Sequence, residues 1–121
     1  MSQTDDPRAE DLLPLPSATF HILVALAESD RHGYAIIQDI RARTEGEVSL
    51  TASTLYAAIK RLLDVGLIEE LEEGQRPDDD DERRRYYRIL PAGLAVARLE
   101  ATRLIRAVRM ARQKRLAPRN A

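Results

Sequence analysis

Apolar residues recur at helical spacing in four stretches of this chain and alternate at strand spacing in a region between the third and the fourth. The clearest stretch holds Leu55, Ile59, Leu62 and Leu63. These fall at i, i+4, i+7 and i+8, one face of a helix. Thr54, Tyr56, Lys60 and Arg61 occupy the other positions. Thr51 is a suitable N-cap for a helix over about 51–65, and Gly66 suits a left-handed turn at its end.

Two helices precede it. Ser17 reads as the N-cap of the first, with Phe20, Leu23, Val24 and Ala27 as its buried stripe and Glu28-Ser29-Asp30 as its end. The second spans about His32 to Thr44, with Tyr34, Ile36, Ile37 and Ile40 as its apolar set and Gly46 as its stop. Val48 to Leu50 is a short strand or an extended link. Leu67 to Leu71 reads as a strand, Glu72 to Glu82 as an acidic loop, and Arg84 to Leu90 as the returning strand. Alternation there puts Tyr87 and Ile89 on one face and Tyr86 and Arg88 on the other.

Pro91 stands where a last helix starts, and that helix extends to about Leu116. Leu94, Ala97, Ala101, Leu104, Val108 and Ala111 form a 3-4 seam along it, with Ile105 beside them. The remaining positions carry Arg98, Arg103, Arg106, Arg109, Arg112, Lys114 and Arg115. One apolar seam on a helix longer than its domain needs predicts a partner helix, most simply the same helix of a second copy. Residues 12–20 are expected to add to that interface. The alternative is that the seam folds back on its own domain.

The predicted fold is mainly α with a small β-hairpin: a winged helix-turn-helix over 14–90, with the wing at about 67–90, and a dimerisation helix over 91–116. Residues 1–13 read as a flexible acidic arm and 117–121 as a frayed tail. A chain of 121 residues supports one core. No apolar run is long enough to span a membrane, the first residues do not form a secretory signal, and the absence of cysteine excludes disulfides and thiolate zinc sites. The expected location is therefore cytoplasmic. Neither His21 nor His32 sits in a metal-ligand cluster, and no nucleophile-base set or phosphate-cradling glycine loop appears. An enzyme is not expected, nor is a cofactor.

Charge is sorted along the chain. Residues 1–82 carry −12 and residues 83–121 carry +11 within a net charge of −1. Either the halves neutralise one another, within a chain or across a dimer, or a basic surface is built to meet phosphates.

In this order and spacing, His32-Gly33-Tyr34-Ala35-Ile36, Thr54-Leu55-Tyr56, Gly66-Leu67-Ile68, Arg85-Tyr86-Tyr87-Arg88 and Ala92-Gly93 resemble the PadR-like family of winged-helix transcriptional regulators. The resemblance covers about residues 15–110. It implies a bacterial-type homodimer, usually a repressor, that binds double-stranded operator DNA. The third helix would enter the major groove, the wing would touch flanking backbone or minor groove, and the last helix would pair the subunits. Such regulators commonly release DNA when a small molecule binds, or respond to another cellular signal, so the resemblance implies a small-molecule or protein effector as a possible partner.

Carried onto this chain, the resemblance makes Thr51 the cap of the recognition helix and puts Ser53, Thr54 and Tyr56 at its DNA-facing entrance. Hydroxyls and the free N–H groups of a helix start both reach phosphate oxygens. Lys60 and Arg61 would add charge, and Arg83, Arg84 and Arg85 at the wing base are candidates for backbone or minor groove. Tyr87 reads as core, and His32 and Tyr34 read as structural. The chain departs from the family pattern at Ser53, where glycine is usual, at Ala57, where proline is usual, and at Leu90, where a threonine cap is usual.

The run Asp78-Asp79-Asp80-Asp81-Glu82 departs most, since acids oppose phosphates. It is expected to be a flexible, exposed tip that limits non-specific DNA affinity. Aromatic residues are few, Phe20 and four Tyr with no Trp, so a broad pocket for flat aromatic drugs is disfavoured. The alternative function is a winged-helix protein-interaction module without specific DNA binding.

Overall fold

Leu55, Ile59 and Leu62 are all buried, as their spacing requires, and the helix that carries them anchors the rest of the domain. The computed structural model describes residues 8–77 and 84–118. In chain order these form α1 (Ser17–Glu28), β1 (Arg31–His32), α2 (Gly33–Arg43), α3 (Ala52–Asp64), β2 (Ile68–Glu70), β3 (Tyr86–Ile89) and α4 (Pro91–Gln113). Short 3-10 turns occupy Ala9–Leu12 and Glu73–Gln75.

The ends of α3 behave as its sequence predicts. Thr51 accepts the Thr54 N–H at 3.1 Å. At the other end Gly66 has φ +78; the Gly66 N–H reaches Leu63 O and the Leu67 N–H reaches Leu62 O. This paired closure brings buried Leu67 over buried Leu62. The turn from α2 to α3 uses two left-handed residues, Glu45 at φ +53 and Gly46 at φ +85, so glycine is not the first to leave the helix. Thr44 ties the turn together: its hydroxyl donates to Ile40 O and accepts the Val48 N–H.

The sheet is larger than the expected hairpin. Among the described residues it has three antiparallel strands in the order β1-β3-β2. Arg31 pairs with Tyr87 and His32 with Tyr86 on one side, and Ile68 pairs with Ile89 on the other. A two-residue strand is too short to leave an alternating pattern. Its presence corrects the reading of β3, where Tyr86 and Tyr87 are both buried. His32 covers Tyr86 edge-on, with ring centroids 5.2 Å apart.

Three further expectations change. In α1 the buried residues are Thr19, Ile22, Leu23, Ala25 and Leu26. Phe20 and Val24 are only half-buried and Ala27 is exposed, because α2, α3, β3 and α4 surround this helix on several sides. Pro16, not Ser17, occupies its N-cap, and no side chain caps it. The segment from Ala9 is not a loose arm either. Ala9, Leu12 and Leu13 pack on the core, and Leu15 is buried.

Helix α4 starts from Leu90 without a side-chain cap, as expected, with Pro91 in its first turn. Gly93 allows the Leu67 carbonyl to approach so closely that a Cβ would collide with it. Beyond Glu100 no residue of α4 is buried. Glu100 itself is 2 % exposed. It accepts two hydrogen bonds from Arg103, both at 2.8 Å. The Arg103 guanidinium, helped by the backbone of Leu15, holds this carboxyl below the ordinary glutamate value. The only acid of the last 39 residues thus clamps the N-terminal segment to α4.

Candidate nucleic-acid interface

The outward side of α3 displays Ser53, Ala57, Lys60 and Asp64, all exposed. Its first-turn N–H groups at Ala52 and Ser53 precede the first intrahelical bond, which runs from Leu55 N to Thr51 O. Thr51 is occupied as the cap, and it also donates to the Thr54 hydroxyl at 3.1 Å. The Thr54 hydroxyl proton stays available to an outside acceptor. Lys60 is already paired with Asp64 at 3.3 Å, which lowers its value as a phosphate contact. Arg61 lies on the flank toward the N-terminal segment, beside Asp11 and Pro16.

Tyr56 occupies the opposite flank of α3. It is 47 % exposed, and its hydroxyl lies where a Cβ on Gly33 would stand. The start of α2 therefore has to be glycine for Tyr56 to lie across it. Tyr34, read as structural from the sequence, is 62 % exposed. It shares with His32, Gly33, Tyr56, Arg84 and Arg85 the lining of an open recess of about 360 Å³. Helical periodicity missed Tyr34 because it grouped all the apolar side chains of α2 on one face. The signal was local: Tyr34 follows the glycine against which Tyr56 packs.

His32 is structural as expected. Its Nδ1 accepts the Ala35 N–H at 3.1 Å and caps α2. Arg84 Nη1 lies 3.1 Å from His32 Nε2. Arg85 is largely exposed and meets Glu70 only at 4.0 Å. Arg88 turns away to Asp30 at 2.9 Å. Tyr87 is core as expected, and burial pushes its hydroxyl up from the ordinary tyrosine value. Arg83 and the acidic run Asp78 to Glu82 lie outside the described residues.

Residues 22–99 match the transcriptional regulator PadR-like family. The chain belongs to this family. An uncharacterised protein of Lysinibacillus sphaericus is 38 % identical over 78 residues, 61 % of this chain. The match spans 65 % of that relative's length. A transcriptional regulator from Clostridium thermocellum superposes with a TM-score of 0.68 at 28 % identity, covering 79 % of this chain and 87 % of that one. A PadR-family regulator from Clostridium difficile gives 0.67 at 22 % identity, with 81 % and 97 % covered. Bacillus subtilis PadR, solved in complex with operator DNA, gives 0.58 at 19 % identity, with 69 % and 45 % covered. This PadR-like chain is thus mainly helical with a small antiparallel sheet, and it is a member of a family of transcriptional regulators. Among the described residues no helix is long and apolar enough to cross a membrane.

The seam of this PadR-like protein divides in two. Leu94, Ala97, Ala101 and Ala111 are half-buried, whereas Leu104, Ile105 and Val108 are exposed. The last three line an apolar groove with Arg109 and Arg112.

Proposed function

We propose that the chain is a homodimeric, sequence-specific DNA-binding regulator, most simply a cytoplasmic repressor. In this reading α3 enters the major groove and the base of the wing meets the flanking backbone. One observation carries it: Tyr34, Tyr56, Arg84 and Arg85 line one recess beside the open N-terminus of α3, and among the described residues no carboxylate lines it. Hydroxyls, guanidinium groups and helix-start N–H groups are the donors that phosphates take. The exposed Leu104, Ile105 and Val108 support pairing of α4 with a second copy, and a dimer would read a two-fold site. Release by a small-molecule or protein effector completes the scheme.

A protein-interaction module without specific DNA binding is the second reading. The exposed acids Glu70, Glu72 and Glu73 beside the wing favour it. Fluorescence anisotropy separates the two, using DNA from upstream of the chain's own coding region, random DNA alongside and salt varied. A regulator gives selective binding that falls steeply with salt. An interaction module gives neither the selectivity nor the slope.

A further inference from the structure

We propose that the pocket between the N-terminal segment, α1 and α3 is a binding site for a small zwitterion with a branched apolar side chain, of the size and chemistry of a free aliphatic amino acid. The argument starts from Thr19. This residue is only 9 % exposed and lines the pocket. Its hydroxyl makes no hydrogen bond among the described residues, yet it is not sealed from outside molecules. A buried hydroxyl without a partner costs free energy. The partner has to come from the pocket, as water or as a ligand.

The lining decides between them. Leu12, Leu15, Leu62, Val65 and Leu67 make most of the wall apolar. A buried water needs several polar partners, so water is the poorer occupant. Arg61 of α3 and Asp11 of the N-terminal segment line the same pocket. Their side chains carry opposite charges but form no ion pair or hydrogen bond among the described residues. A carboxylate ligand would suit Arg61 and meet Asp11 as a like charge, and an ammonium ligand would do the reverse. A zwitterion answers both, with its side chain on the leucines and the Thr19 hydroxyl as a third polar contact. The volume of about 210 Å³ is below the range of drug-sized sites. It equals the share of roughly seven waters, which suits a molecule like leucine.

One consequence rests on the DNA-binding reading above. Arg61 cannot hold the ligand's carboxylate and a DNA phosphate at once. Occupancy therefore weakens the hold of α3 on DNA, and DNA weakens the ligand by the same factor. The pocket is then the effector site.

The test titrates the full chain with L-leucine, isocaproate and isoamylamine. These share one branched body and carry both charges, the negative one only and the positive one only. NMR signals of Thr19 and Leu62 report occupancy. Leucine should give a saturable shift, and each singly charged probe should bind roughly tenfold more weakly. Thr19→Val keeps the shape and removes the unpaired hydroxyl. It should melt at or above the wild type and lose about tenfold in leucine affinity. Arg61→Gln should weaken leucine without weakening isoamylamine, and Asp11→Asn should weaken leucine without weakening isocaproate. A flat response to all three probes overturns the site. A singly charged probe that binds as tightly as leucine overturns the zwitterion, and wild-type leucine affinity in all three variants overturns the location.

Duplex affinity with and without saturating leucine reads the consequence. A several-fold loss supports the effector role, and indifference overturns it. A wild type that takes leucine but no duplex at any salt defeats the DNA-binding reading and leaves the ligand site standing. One that takes duplex but no leucine does the opposite.

Discussion

Helices α3 and α4 carry the same kind of signal, an apolar stripe at helical spacing, yet the fold treats them differently. The stripe of α3 is covered by its own domain: Leu55, Ile59 and Leu62 are each at most 2 % exposed, and Leu63 is half-buried against the same core. The seam of α4 is covered only along its first turns. Leu104, Ile105 and Val108 remain 37, 56 and 39 % exposed. The difference is one of reach. At about 1.5 Å per residue, α4 outruns the core: the last buried residue on this helix is Glu100. An amphipathic pattern therefore says that a helix face wants a partner. It does not say whether the partner lies in the same chain.

The largest expected effect separates those two kinds of partner. Ile105→Asp with Val108→Asp should turn a dimer into a monomer at micromolar concentration while the domain keeps its helical content. Sedimentation and circular dichroism on the same samples check this. A pair variant that stays dimeric would remove α4 as the pairing element. On α3, Leu55→Ala should lower unfolding stability by about 2–5 kcal/mol, because it opens a cavity in a packed core. Urea denaturation reads this directly, and a loss below about 1 kcal/mol would mean the stripe is not tightly covered.

Glu100 marks the boundary between the two regimes. Glu100→Ala leaves the Leu15 N–H without its acceptor and should cost about 1–3 kcal/mol. The sign of its pH dependence follows from its lowered folded value. The stabilisation is present above the ordinary glutamate value and is lost as pH falls through the lower folded one. The gap in melting temperature between wild type and Glu100→Ala should therefore be wide at neutral pH and close in acid. A gap independent of pH would argue for packing over charge. The smallest effect is at the start of α3: Thr51→Ala removes a cap and should cost about 1 kcal/mol, measured by the same denaturation series.

Much of the helical frame was legible because its signals are local. The cap at Thr51, the glycine turn at Gly66, the uncapped start at Leu90 and the stripe of α3 each depend on residues within a turn or two of one another. The misses share an opposite cause. Strand β1 exists only because Arg31 and His32 meet Tyr87 and Tyr86, more than fifty residues away. The face of α1 that is buried depends on several neighbours, and the backbone of Leu15, just before α1, is held by Glu100 of α4. The candidate site was half legible. Tyr56, Arg84 and Arg85 could be named from pattern and resemblance, whereas Tyr34 was placed in the core.

Sequence alone determined where the helices lie, that a charged, turn-rich connection separates two strands, and that the final helix carries an unmatched apolar seam. Those properties come from backbone preference and periodicity, which act over a few residues. Tertiary structure decided which faces were covered and which donors met. Tyr34 joins Tyr56 because the residue between their backbones, Gly33, has no side chain. Arg84 reaches His32 because β3 lies beside β1. Such meetings depend on the path of the whole chain, and no local pattern encodes them.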